Sequence, residues 1–165
     1  MKRVLTWKVL ALLVMIGVVG ALIPGRFCVT LTPSVKHRLF FLDRDLSHVN
    51  RGDYVLFSLE VGRLGKVPLP EGVREGETVR AVKRVACMEG EQLRVAGRDF
   101  FCGDEPIGRA KERSLKGVPL TPFVHEGPVP AGQVFLAGDH PDSFDSRYFG
   151  FVDQNALRAW ARPIW

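Results

Sequence analysis

A mostly-β domain tethered by one N-terminal transmembrane helix is the fold class this sequence predicts. Three observations predict it: a long uncharged run near the N-terminus, short apolar runs punctuated by Gly and Pro through the rest, and strand-like alternation in TVRAVKRVA. The 165 residues suffice for one well-buried domain plus an appendage, not for a second full-sized domain.

The first element is the anchor. MKRVLTWK is followed by VLALLVMIGVVGALI, fifteen uncharged residues, and then Pro24. The span Val4 to Ile23 is 20 residues, matching the roughly 20 that cross the hydrocarbon core as a helix. Trp7 suits the interface and Lys8 can snorkel to it. A cleavable leader would have a shorter apolar core and an Ala-x-Ala site, whereas this run ends in Leu22-Ile23-Pro24-Gly25-Arg26. The reading is an uncleaved anchor over residues 1–25. Lys2, Arg3 and Lys8 put the N-terminus in the cytoplasm and residues 26–165 on the far side of the membrane, with Arg26 a minor counter-signal.

Beyond the anchor, strands are expected at Leu39–Leu42, Tyr54–Leu59, Thr78–Ala86, Gln92–Val95, Val134–Ala137 and Tyr148–Val152. Ala156, Leu157 and Trp160 at helical spacing predict a short terminal helix over Asp153–Ala161. Gly62–Gly76 reads as a Pro/Gly-rich loop and Gly103–Gly127 as a longer irregular insertion, and the chain holds no repeat and no low-complexity tract.

Composition removes several function classes. Against 18 Asp+Glu stand 23 Lys+Arg, a net charge of +5, but the basic residues form no run of four and no stripe with interleaved aromatics, so no nucleic-acid partner is expected. Without a Cys-x-x-Cys or a close histidine pair, neither a metal nor another cofactor is expected. Asp139, Asp142 and Asp145 lack the alternation of a calcium loop. Of the three cysteines, Cys87 and Cys102 flank the hairpin EQLRVAGRDFF, turning at Gly97, and are candidates for a disulfide in an oxidising compartment; the alternative is two small buried thiols.

The chemistry begins with Lys83. A strand through Val79–Val85 puts Arg80, Val82 and Arg84 on one face and Lys83 on the other with Ala81 and Val85, toward the core. Such a lysine pairs with a buried carboxylate, snorkels out, reflects a register one residue off, or loses its proton because burial disfavours the charged form. In the last case it is a neutral amine and a general base. A serine hydroxyl needs such a base. Of six serines, Ser34 stands out in TLTPSV, just past the membrane boundary, where a turn serine beside Pro33 is the ordinary alternative. In GDHPDSFDSRYFGF, from Gly138, Asp145 and Arg147 are placed to form an ion pair. A Ser-His-Asp triad finds no support: His37, His48, His125 and His140 sit in no recognisable block and no Gly-x-Ser-x-Gly elbow occurs.

Together TPSVKHRLFFL, VKRVACMEGEQL and GDHPDSFDSRYFGFV resemble, in order and separation, the type I signal peptidases, and more narrowly the TraF-type peptidases of conjugative transfer systems. The third block is similar to the family's Gly-Asp-Asn…Asp-Ser-Arg-Tyr-x-Gly motif. The resemblance implies a signal-peptidase-like β catalytic domain in a bacterial inner membrane, facing the periplasm. It implies Ser34 as nucleophile, Lys83 as general base, Thr32 with the Ser34 N–H as oxyanion hole, and Ser143 orienting the lysine. Gly138 and Asp139 match the start of the motif, and Asp145 and Arg147 match a structural ion pair. The implied substrate is a secreted precursor with small residues at the cleavage site, most specifically a pilin, with cleavage or cyclisation as the outcome. A general signal peptidase and a non-catalytic membrane-anchored β module of a secretion apparatus are the other readings. Val35, Lys36 and His37 depart from the family pattern after the serine, and the loop before Ser143 is one residue shorter, both of which bear on the substrate pocket. Lys36, close to Ser34, is a rival base, but its polar surroundings would keep it protonated.

Overall fold

Alternating apolar residues become strands where each face finds cover. The computed structural model describes residues 7–15, 17, 25–61, 74 and 76–165, and residues 7–15 are helical. After them come β1 (Phe27–Val29), β2 (Leu39–Asp43), β3 (Tyr54–Glu60), β4 (Thr78–Cys87), β5 (Gln92–Ala96), β6 (Asp99–Cys102), β7 (Glu105–Arg109), β8 (Gly127–Pro128) and β9 (Gln133–Ala137). The chain ends with a one-turn helix α1 (Ser146–Phe149), β10 (Val152–Asp153), a 3₁₀ turn (Gln154–Ala156) and β11 (Leu157–Pro163).

The strands build two antiparallel sheets, one in the order β1-β2-β11-β3-β4-β9-β10 and a smaller one in the order β7-β6-β5-β8. Successive residues of β3 serve opposite faces of the larger sheet. Val55 and Phe57 pack with Val85 and Leu136 on one side, while Tyr54 and Leu56 join Val35, Phe40, Leu42, Val82 and Ala159 on the other. A third cluster, with Cys87, Leu93, Phe100 and Phe135, packs residues of both sheets together. A disulfide between Cys87 and Cys102, with Cα atoms 5.5 Å apart, ties β4 of the large sheet to β6 of the small one. Cys28 is a free, half-buried thiol whose pKa burial pushes up.

Three expectations need correction. The helix over Asp153–Ala161 is instead a 3₁₀ turn followed by β11. Ala159 and Ala161 are buried on one face with Leu56, Leu157 is buried on the other with Phe57 across a bulge in the pairing with β3, and Arg158 and Arg162 are exposed; pairing with β2 on one side and β3 on the other overrides the helix propensity of Ala and Arg. The strand over Tyr148–Val152 is largely α1, because the Asp145 side chain accepts a bond from Arg147 N as an N-cap, and Gly150 at φ +82° stops the turn. The stretch Gly103–Gly127 opens with β7, whose Pro and Gly give no strand signal and whose pairing with β6 forms it.

Among the described residues no helix is long and apolar enough to cross a membrane. The stretch 7–15 exposes Trp7, Leu10, Leu13 and Val14, and apart from Gly17 the rest of the expected Val4–Ile23 span lies outside the described residues, as does most of the Gly62–Gly76 loop.

Candidate active site

Lys83 lies in β4 opposite Val55 of β3 and is 5 % exposed. It sits on the inward face, as its register dictates, and Val82 on the other face is also buried, beneath the Val35 and Phe40 cluster. Its Nζ donates a 2.7 Å hydrogen bond to Ser143 Oγ, and among the described residues it forms no ion pair. Burial, the largest cause, pushes its pKa from 10.5 down to about 8; Arg147 reinforces this, and Asp145 and Asp139 oppose it.

Ser34 sits in the bend between β1 and β2, partly buried. Thr30 closes that bend through its N–H to the Arg38 carbonyl at 2.9 Å and its Oγ1 to the His37 carbonyl at 3.0 Å. Val35, next in sequence, is plugged into the core and fixes the serine's direction. Thr32 Oγ1 lies 3.3 Å from Ser34 Oγ. The Ser34 backbone N–H donates to nothing among the described residues. Ser34 Oγ and Lys83 Nζ form no hydrogen bond with each other; Gly138 packs against both the Ser34 carbonyl and the Ser143 side chain that accepts from the lysine.

That loop is held from below. Asp145, fully buried, accepts Arg147 Nε at 2.8 Å and an Arg147 Nη at 2.7 Å, and also accepts the Gly138 N–H at 2.8 Å. Arg147 in turn donates to the Ser143 carbonyl at 3.3 Å and the Arg109 carbonyl at 3.0 Å. A buried pair of this kind is favourable only when its remaining donors and acceptors are satisfied, as they are here. Ser146 Oγ accepts Leu136 N at 3.0 Å and docks α1 on β9. Gly138 is wedged so tightly that a Cβ there would overlap both the Ser143 side chain and the Ser34 carbonyl oxygen. The His140 N–H reaches that same carbonyl at 3.3 Å.

Asp139 holds the Ser34 bend from the other end. It accepts the Lys36 N–H at 2.8 Å, Tyr54 OH at 2.8 Å and Arg84 Nε at 3.1 Å. Burial and this carboxylate raise the Tyr54 pKa. The side chain of Arg84, on the face of β4 opposite Lys83, is therefore partly buried in an ion pair. Tyr54 and Arg84 are site residues that sequence reasoning missed; the one available signal was the adjacency of Arg84 to Lys83. Lys111, also missed, pairs with Asp142 beside Ser143. Lys36, the rival base, is exposed.

One edge of β4 is open beside this site. Val85 exchanges bonds with Gly52 and Asp53, at 2.8 and 2.7 Å, so odd-numbered peptide groups of β4 point to β3 and even-numbered ones point away. β9 pairs only with Arg84, Val85 and Cys87, leaving Arg80 and Val82 without a backbone partner on that side among the described residues. On the adjoining sheet face a groove of about 700 Å³ is lined by Arg80–Val82 of β4, Leu56 of β3 and Ala159 of β11, together with Thr32 and Ser34.

The signal peptidase family, peptidase S26, matches residues 1–165. The conjugal transfer protein TraF of Agrobacterium fabrum (strain C58) is 29% identical over 149 residues, covering 85% of this chain and 82% of that protein. The conjugal transfer protein TraF of Agrobacterium tumefaciens (strain 15955) is 28% identical over 169 residues, covering 99% and 96%. A signal peptidase I from Enterococcus faecalis is similar in structure, with a TM-score of 0.43 and 22% identity over 70% of this chain and 98% of that one.

Proposed function

The chain belongs to the signal peptidase family, peptidase S26, and from that premise we propose that it is a membrane-anchored serine endopeptidase working through a Ser34–Lys83 dyad. The observation that carries the reading is a buried lysine with a lowered pKa, bonded to Ser143 and to no carboxylate. An ammonium kept for structure would be paired; an amine kept for proton transfer is desolvated.

The substrate peptide lies extended along the open edge of β4, where main-chain bonds to Arg80 and Val82 set its register. Neutral Lys83 takes the proton of Ser34 Oγ as that oxygen attacks the scissile carbonyl carbon, a transfer that requires Oγ and Nζ to close together on the substrate. The Ser34 N–H and Thr32 Oγ1 donate to the developing oxyanion, each donor worth roughly 10²-fold or more. The C–N bond then breaks, Lys83 returns the proton to the leaving amine, and an ester on Ser34 remains. Lys83 next deprotonates water, which releases the acid, or an amine of the same polypeptide, which closes a ring. Asp139 positions the Ser34 bend, and Ser143 orients the lysine.

Similarity to the TraF proteins supports a precursor of a conjugation apparatus as the substrate, a pilin most specifically. The exposed apolar side chains of residues 7–15 support an anchor in the inner membrane with a cytoplasmic N-terminus. The Cys87–Cys102 bridge supports a periplasmic domain over residues 26–165.

The test is co-expression of the candidate pilin with the wild-type chain, Ser34→Ala or Lys83→Ala, read by intact mass. Loss of processing in both variants, with unchanged circular dichroism, is the expected outcome, and a product lighter by one water than the linear cleaved chain marks cyclisation. Processing by Ser34→Ala at the wild-type level rejects the dyad and leaves a non-catalytic β module.

A further inference from the structure

The groove lined by Ser34 has an unusual charge. Its floor is apolar, with Leu56 and Val82 among the lining residues, while Arg44, Arg80 and Arg158 stand on it from the end of β2, from β4 and from β11. All three arginines are exposed. None forms an ion pair or a hydrogen bond among the described residues, and none of the groove's lining residues is acidic. Elsewhere on the domain Arg51, Arg84, Arg109, Arg147 and Arg162 each meet a carboxylate, and Arg94, Arg98 and Arg113 are engaged by an aromatic ring or by backbone carbonyls; what sets the groove apart is that three unpaired arginines share one concavity. Three uncompensated guanidiniums in one concavity raise the local potential and select for a negatively charged occupant.

The open β4 edge specifies what kind of anion that is. The unpartnered peptide groups of Arg80 and Val82 need donors and acceptors spaced as in a polypeptide backbone, which a lipid headgroup does not supply. Arg80 lies on the same face of β4 as Val82, three residues from Lys83, or about 10 Å along a strand. We propose, building on the peptidase reading above, that Arg44, Arg80 and Arg158 form a carboxylate-selecting subsite, so that the preferred substrate carries Asp or Glu about three residues from the scissile bond. The arginines touch no reacting atom and act as specificity residues; small side chains at the bond itself and an acidic one farther out are read by different parts of one groove.

The experiment separates this from the dyad by reading binding without cleavage. The full-length Ser34→Ala chain in phosphatidylcholine nanodiscs is titrated with fluorescent alanine-based decapeptides in which one Glu, Gln or Lys is moved through positions two to five residues on either side of a central Ala-Ala bond. At low salt the Glu peptide in the preferred position binds about fivefold to tenfold tighter than its Gln twin, the range expected of partly exposed ion pairs acting together. Raising the salt to about 1 M, where the Debye length falls to about 3 Å, narrows the gap. Arg80→Glu reverses the order in favour of the Lys peptide, while Arg44→Gln with Arg158→Gln abolishes the discrimination. Glu peptides that bind no better than their Gln twins at every position, or that do not bind, overturn the proposal, with or without phosphatidylglycerol in the disc. Processing that persists in Ser34→Ala would reject the dyad and leave this result standing.

Discussion

Replacing Lys83 by Met tests whether the buried amine is retained at a cost to stability. Met keeps the length of the side chain and removes its charge. In the folded chain the amine is displaced from 10.5 to about 8, which at about 1.36 kcal/mol per pKa unit is about 3 kcal/mol. The sign follows from proton binding: between pH 8 and 10.5 the unfolded chain holds the proton and the folded chain does not, so stability rises with pH through that window. The penalty is therefore complete below pH 8 and gone above 10.5. Against it stands the bond from Nζ to Ser143 Oγ, whose loss costs about 1–2 kcal/mol. Lys83→Met should thus be more stable than wild type by about 1–2 kcal/mol at pH 6.5, a rise of about 3–6 °C in Tm for a domain of this size, with the advantage shrinking or reversing by pH 10. Precursor processing should fall to background at every pH, while wild-type processing should climb about tenfold between pH 7 and 9 as the neutral amine becomes dominant. The assay is thermal unfolding of the full chain in detergent at pH 6.5, 8 and 10, beside a processing time course. A wild type more stable than Lys83→Met at pH 6.5, with pH-independent processing, would refute the reasoning and make Lys83 a structural ammonium.

Other perturbations isolate the scaffold around the dyad. Gly138→Ala places a Cβ against Ser143 and the Ser34 carbonyl; overpacking of about 1–3 kcal/mol is expected, together with at least a tenfold loss of processing, measured by calorimetry and by the precursor assay. Asp145→Asn leaves the buried Arg147 guanidinium uncompensated, and a loss of about 3–5 kcal/mol in chemical denaturation should follow. Cys87→Ser with Cys102→Ser opens a loop of 15 residues and should cost about 3 kcal/mol, visible as a matching fall in the wild-type Tm on reduction. Asp139→Asn removes the charge that Arg84 pairs with and weakens the grip on the Lys36 N–H; processing should drop with little change in Tm.

Much of this protein is determined by its sequence alone. The period of two in TVRAVKRVA puts Lys83 on the inward face of β4, and Asp145-Ser-Arg147 contains its own ion pair, because both depend on neighbours a few residues away. Tertiary structure decided the rest. The partner of Lys83 is 60 residues distant, and the carboxylate that holds the Lys36 N–H is 103 residues away, separations across which no local pattern specifies contact. β11 shows the limit most clearly: its Ala, Arg and Leu favour a helix in isolation, and it becomes a strand because β2 and β3 offer unpaired edges on both sides. The arginine-lined groove exists only after β2, β4 and β11 are assembled, since a common charge on one surface is a property of sheet order and not of any one segment.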